Sequence, residues 1–438
     1  MSLTKFLLAG AACTFTLTAL AAKPVAKSPP AAAPPAPAIT QPLVIEPAAI
    51  DAALKSMVDS QKIVGVSALV YQADQEVYFG AFGFADRENQ KPMARDTVAQ
   101  IFSMTKPVTG VALMMLYERG KFELDQPLEM LAPEFADQKV YAGLDDSGQP
   151  KYEPQKRRIT IRDVLRHTAG FPNDGDQDTV GQIYRQLNPR AYTNTIVEFE
   201  QKFSQVPLSY QPGTRWRYSN AVDLQAYLTQ KISGVPFDKF LELHIFKPLG
   251  MNSTRYTILP TDADRPKLAA TYIRNDDGTF TRQPDEEAFK FNGQDWPLKP
   301  GNFGLVSTLD DYMKFARMLL GGGKLGRARI LKPETVALMA TDAMPKEVTD
   351  KHWLASKGQV GFGIDFAVRT APPKDASEAS GAVGEFFWDG ALSTLFWVDP
   401  KNQVAAVLFT QMKPFDKVHL HKAFRDAVYR NDPVALAH

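Results

Sequence analysis

The sequence predicts an α/β (α+β) protein whose antiparallel sheet is assembled from both ends of the chain around a mainly helical insertion. Three observations predict it. Residues 64–73 and 76–86 carry the β-branched and aromatic content of two paired strands. The same texture returns at 361–368, 392–398 and 403–410, followed by a closing helical pattern at 419–430. Between these ends helical spacing recurs at 103–119, 162–167, 221–233, 237–246 and 308–320, separated by long polar loops. Strands at both ends with helices between them describe one sheet interrupted by an insertion. The sheet domain is therefore assigned to residues 47–119 and 350–438, and the helical domain to 120–349. Residues 48–61 read as a helix leading into the first strand. Residues 274–279 carry a hairpin signal inside a long loop.

With 438 residues and 44% apolar content, the chain can bury a large core in more than one layer. Lys5, the apolar residues 6–20 and the small residues around Ala21 read as a secretory signal over 1–21, too short for a comfortable membrane span. The expected location is periplasmic or secreted, without stable membrane insertion after cleavage. Residues 22–46, rich in proline and alanine, read as a semi-rigid linker, with folding expected from Pro47. The single cysteine, Cys13, lies within the signal. Its removal excludes cysteine catalysis, thiolate metal sites and disulfides. Losing Lys5 as well leaves 49 basic against 49 acidic residues. No basic stripe invites nucleic acid or a lipid surface, so the expected partner is a small molecule. His419 and His421 are two apart, off a common helical face, and no metal or other cofactor is implied. Oligomeric state leaves no mark in the sequence.

The best helix begins at Ser103, in the run Ser103, Met104, Thr105, Lys106 and Pro107. Pro107 falls in the first turn and Gly120 at the end, where each residue type belongs. A serine hydroxyl needs a neighbour to take its proton, and a lysine three positions on shares its helix face. A helix N-terminus adds unpaired N–H groups and positive dipole, which favour an oxyanion and a depressed lysine pKa. The pattern alone identifies nothing, because Ser2 and Lys5 satisfy it too, and Ser103 alone reads equally as a helix cap. A second element is Tyr218, Ser219 and Asn220, after the turn at Pro212 and Gly213. A tyrosine near the lysine can act as general base and return the proton to a leaving group, while the asparagine amide can fix a substrate carbonyl or the lysine. A third is Trp388, Asp389, Gly390 and Ala391 at a strand. There glycine allows close approach of a substrate, and the Ala391 N–H, with that of Ser103, can form an oxyanion hole.

In this order, Ser-Met-Thr-Lys, Tyr-Ser-Asn and a C-terminal Trp-x-Gly resemble the serine β-lactamase and penicillin-binding-protein superfamily. The chain is most similar to class C β-lactamases and family VIII carboxylesterases. Residues 165–171, 246–251 and 304–308, with Asp311 and Tyr312, agree with that pattern, and the resemblance runs from about residue 47 to 430. It implies a β-lactamase/transpeptidase-like fold with a mixed antiparallel sheet flanked by helices. It also implies Ser103 as the acylated residue, Lys106 and Tyr218 as proton-transfer partners, Asn220 as a substrate or network contact and His167 as structural.

The departures bear on substrate. Class C β-lactamases and transpeptidases usually place a cation where Trp388 stands, facing a substrate carboxylate. Asp389, if it faced the cleft, would repel such a carboxylate by about 1–4 kcal/mol. Trp388, Asp389 and Gly390 are therefore expected to shape a substrate site for a small ester or amide. The leading expectation is a carboxylesterase acting on small acyl esters through acyl-Ser103. A class C-like β-lactamase or D-alanyl-D-alanine carboxypeptidase is the second, favoured by Asn220 and export. The third is a catalytically silent module, against which stand the intact Ser103, Lys106 and Tyr218.

Overall fold

The computed structural model of the protein describes residues 42–430. The expected signal sequence, Cys13 and most of the linker lie outside the described residues. The last linker residues do not: Leu43 and Ile45 are buried in the core, so folding begins before Pro47. From there the chain forms helix α1 (Pro47–Asp59), strands β1 (Gly65–Gln72), β2 (Gln75–Asp86) and β3 (Lys91–Pro92), then helix α2 (Thr105–Glu118). A long stretch of helices and loops follows, in which α3 (Ala221–Ser233) and α4 (Leu309–Leu320) are the longest helices. The chain closes with β4 (Val360–Phe362), β5 (Ala367–Arg369), β6 (Phe386–Asp389), β7 (Leu395–Asp399), β8 (Val404–Phe409) and α5 (Leu420–Val428).

These eight strands make one sheet in the order β4-β5-β6-β7-β8-β1-β2-β3. Every neighbouring pair is antiparallel. The two ends of the chain meet at β1 and β8, where Ser67 pairs with Phe409 and Gln72 with Val404. Helix α1 packs on α5 and against β1 and β2, while α4 packs against β1, β7 and β8. Both faces at the sheet's centre are thus covered, and β7 and β8 are buried at every residue. This explains their unbroken apolar runs, since a strand covered on both faces has no solvent side to make polar. Among the described residues, no helix is long and apolar enough to cross a membrane.

Two local expectations are corrected. Residues 361–368 are not one strand but the β4–β5 hairpin, turned where Asp365 takes the left-handed conformation at φ 57°. The stretch between 119 and 162, read as polar loop, contains a hairpin pairing Lys139–Leu144 with Pro150–Pro154. The hairpin expected around 274–279 is present, pairing Tyr272–Arg274 with Phe280–Arg282.

Candidate active site

Ser103 sits in a 3-10 turn (Phe102–Met104) that runs directly into α2. The Ile101 N–H donates to the Leu305 carbonyl at 3.1 Å, and the Tyr312 hydroxyl donates to the Met104 carbonyl at 2.7 Å. Just upstream, Ala99 and Gln100 pair with Ser307 and Val306. The segment around 304–308 and Tyr312 therefore brackets the turn carrying the serine. Phe102 stands at φ 44°, a strained conformation for a bulky residue that costs about 1–3 kcal/mol. Behind the turn, α2 is buried from Thr105 to Leu116, as its nearly all-round apolar surface predicts.

Lys106 Nζ lies 3.1 Å from Ser103 Oγ and donates to the Asn302 carbonyl at 2.8 Å. It stands 4.3 Å from the centre of the Tyr218 ring. The residue is 1% exposed. Burial lowers its pKa from 10.5 to about 7, an effect opposed by the Asp223 carboxylate and aided by Arg190. Near neutral pH the amine is therefore substantially unprotonated and can accept the serine proton. Arg190 is itself 2.9 Å from Asp174 and 3.6 Å from Asp223. Burial pushes the Asp223 carboxyl up. Asp365, fully buried with its carboxyl against Gly110 of α2, is pushed well up by the same cause. The charges beneath Lys106 thus come close to balancing.

Tyr218 is held by backbone ties to the 165–171 turn. The Arg217 N–H donates to the His167 carbonyl at 3.1 Å, and the Asn220 N–H to the Pro172 carbonyl at 3.1 Å. Its ring is boxed by His167, Trp353 and Trp388, with centroids at 5.1, 5.2 and 5.5 Å, and Trp216 stacks at 6.4 Å. Its hydroxyl is shut away from solvent without a hydrogen-bond partner. Burial raises its pKa strongly, while the nearby Ser103 hydroxyl and Trp388 indole pull it partly back without reaching hydrogen-bond geometry. Tyr218 is therefore a phenol at neutral pH, fitted to hand a proton over. A phenol so placed is less suited to take up a proton at rest than the Lys106 amine. His167 is buried, and its Nδ1 accepts the Ser219 N–H at 3.2 Å. Burial and Lys106 hold its pKa well below the usual histidine value, so it is a neutral wall of the box.

The β6 end differs most from expectation. Trp388 turns its indole onto Tyr218. Asp389 does not stand as a free charge: it is 8% exposed, ion-paired with Lys357, and lines a separate cavity with Phe415 and Arg425. The expected uncompensated negative charge is therefore absent. The Lys357 ammonium also lies 5.1 Å from the Trp388 ring and 5.3 Å from that of Trp353. Because both partners are almost buried, Lys357→Met should destabilise the fold by about 3 kcal/mol in urea titration, and the double variant Lys357→Met, Asp389→Leu should recover most of that loss. Gly390 is needed for packing rather than substrate approach: a Cβ there would lie 2.4 Å from the Ile101 carbonyl oxygen. That contact brings the Gly390 turn against the segment that leads into Ser103. Neither the Ala391 nor the Ser103 N–H meets an acceptor among the described residues, and Ala391 is exposed. β6 is internal to the sheet, not an edge, but its pairing with β5 ends at Phe387, which leaves Trp388 and Asp389 open on that side.

Asn220, expected as a substrate or network contact, is 0% exposed. Its Oδ1 accepts from Asn302 Nδ2 at 2.8 Å and from Arg190 at 3.2 Å. It belongs to the network under Lys106. Sequence reading missed Arg190, Asp223, Asn302, Trp353 and Lys357. Only Asp223 had an available signal, lying one helical turn after Asn220 on α3.

Over residues 50–430 the sequence matches the Beta-lactamase family, in agreement with the motifs. Protein Rv1367c of Mycobacterium tuberculosis is 32% identical over 374 residues, covering 83% of this chain and 89% of that protein. Lovastatin esterase of Penicillium rubens is 26% identical over 407 residues, covering 87% of this chain and 98% of that enzyme. Among solved structures, EstCE1, a hydrolase with promiscuous acyltransferase activity, is similar with a TM-score of 0.71 and 25% identity, over 87% of this chain and 98% of that one. With a serine and lysine in contact at the head of a buried helix and a family match spanning nearly every described residue, the chain belongs to the Beta-lactamase family.

Proposed function

We propose that the protein is an exported serine hydrolase that cleaves small acyl esters through an acyl-Ser103 intermediate. One observation carries the reading: a buried Lys106 amine, its pKa pulled down to about 7, within hydrogen-bond reach of the Ser103 hydroxyl. Lys106 takes the hydroxyl proton as Oγ attacks the ester carbonyl, and the oxyanion is met by the Ser103 and Ala391 N–H groups. Tyr218 gives its proton to the departing alkoxide and is reprotonated by Lys106. Water then attacks the acyl-enzyme with the proton transfers reversed.

Ester rather than β-lactam chemistry is favoured by Trp388, an uncharged ring at the place where a carboxylate-binding cation would stand. Lys357, whose ammonium lies 5.1 Å from that ring, is already paired with Asp389. Asn220, which favoured the lactamase reading, is buried in the Arg190 and Asn302 network. The named relatives that are esterases support the same choice. Export rests on the signal-like residues 1–21.

Intact-mass spectrometry after parallel exposure to a p-nitrophenyl acyl ester and to a penicillin tests this. The expected result is an acyl adduct on Ser103 from the ester, with turnover above that of Ser103→Ala. No adduct and no turnover with esters would overturn it, and rapid penicillin acylation with turnover would replace it by a lactamase.

A further inference from the structure

A cavity of about 360 Å³ opens beside Ser103. Two of its walls are Phe102 and Leu392, the residues immediately before Ser103 and immediately after Ala391. Ser103 and Ala391 do not themselves line it, and it lies against the two turns that carry the N–H groups assigned to the oxyanion. Neither Tyr218 nor Trp388 lines it. A leaving group must lie near Tyr218 to receive its proton, so this cavity is on the side of the carbonyl carbon that keeps the acyl chain.

One wall of the cavity is aromatic, and the rest is largely polar. Phe291 lies 5.0 Å from Phe303 and 5.0 Å from Tyr192, centre to centre, and Phe102 stacks on Phe303 at 6.4 Å. Phe102 reaches this place from its strained left-handed conformation. Phe291 packs where a Cβ on Gly304, at φ 113°, would come within 2.4 Å of its ring. Two backbone positions are thus shaped to seat rings here. Two of the polar side chains of the wall are tied to each other and to backbone: Gln100 Nε2 donates to Asn292 Oδ1 at 2.8 Å, and Asn292 Nδ2 donates to the Tyr256 and Gly304 carbonyls at 2.7 Å. Charge stands at the exposed rim, in Glu287, Lys290 and Lys413. The volume falls within the roughly 300–1,000 Å³ of small-ligand pockets, far more than an acetyl group fills.

We propose that this cavity is the acyl pocket and that it selects esters of uncharged, ring-bearing carboxylic acids over acetate esters. The inference rests on the acyl-Ser103 reading and narrows it to a substrate class. Apolar ring surface would be buried against Phe291, Phe303 and Tyr192 in the transition state as well as the ground state, so the gain appears in kcat/KM.

The test measures kcat/KM for p-nitrophenyl phenylacetate and p-nitrophenyl acetate, which share a leaving group, on the full protein and on Phe291→Ala and Tyr192→Ala. The wild-type ratio should favour phenylacetate by at least about tenfold, and each variant should bring that ratio several-fold toward unity. Tyr192, only half-buried, decides the matter if Phe291→Ala fails to fold. Turnover of both esters without a preference, or a preference unmoved in a folded variant, overturns the pocket and leaves the esterase reading intact. Turnover of neither ester above the Ser103→Ala level overturns both.

Discussion

Lys106→Met should lower kcat/KM for ester hydrolysis by roughly a thousandfold while leaving the melting temperature unchanged or raised. The two halves of that result have one cause. The lysine amine is 1% exposed, so the fold holds a group that water would solvate far better, and burial pulls its pKa down to about 7. Methionine has similar length and no charge to desolvate. Asp223 is not orphaned by the change, because Arg190 remains beside it. The pH profile checks the same group. A base must be unprotonated, so wild-type kcat/KM should rise with pH through about 7 and level off above it. A rate that falls through that range, or stays flat down to mildly acidic pH, would contradict Lys106 as the base. A lysine kept for packing alone would show the reverse of the variant's pattern, with lost stability and intact chemistry.

Tyr218→Phe should cost about 10²–10⁴-fold in kcat/KM for alkyl esters and markedly less for p-nitrophenyl esters. The contrast follows from the role. An alkoxide cannot leave without a proton, whereas nitrophenolate can. Stability should hardly change, since the hydroxyl has no hydrogen-bond partner to lose. Equal losses for both leaving groups, together with a lowered melting temperature, would mark the tyrosine as structural. Both measurements use the same purified variant.

What could be read in the sequence is what depends on local spacing. Ser103 and Lys106 share a face because they are three apart, and Pro107 and Gly120 delimit the helix by their own backbone preferences. The sheet's assembly from both chain ends followed from strand texture. What could not be read depends on distant backbone and on partners without a motif. The Asn302 carbonyl that holds Lys106 is 196 positions away and would accept from Lys106 whatever side chain residue 302 bore. Asp389 looked like an exposed repulsive charge because nothing marks Lys357, 32 positions earlier, as its partner. The β4–β5 hairpin was read as one strand because its turn falls on Asp365, a residue that takes the left-handed conformation without being a glycine. Gly390 was read as an opening for substrate, since the sequence does not show that Ile101 lies against it.

The aromatic box around Tyr218 has an optical consequence. Of the five tryptophans in the chain, Trp216, Trp353 and Trp388 have rings within 6.4 Å of the Tyr218 ring, centre to centre. The Lys357 cation lies over two of those indoles. Three of the five indoles therefore surround the tyrosine assigned to proton transfer, in surroundings whose polarity would change when an acyl group or leaving alcohol enters. The fold carries a native fluorophore at its own reaction centre, so acylation and its decay can be followed in real time on unlabelled protein with a colourless ester.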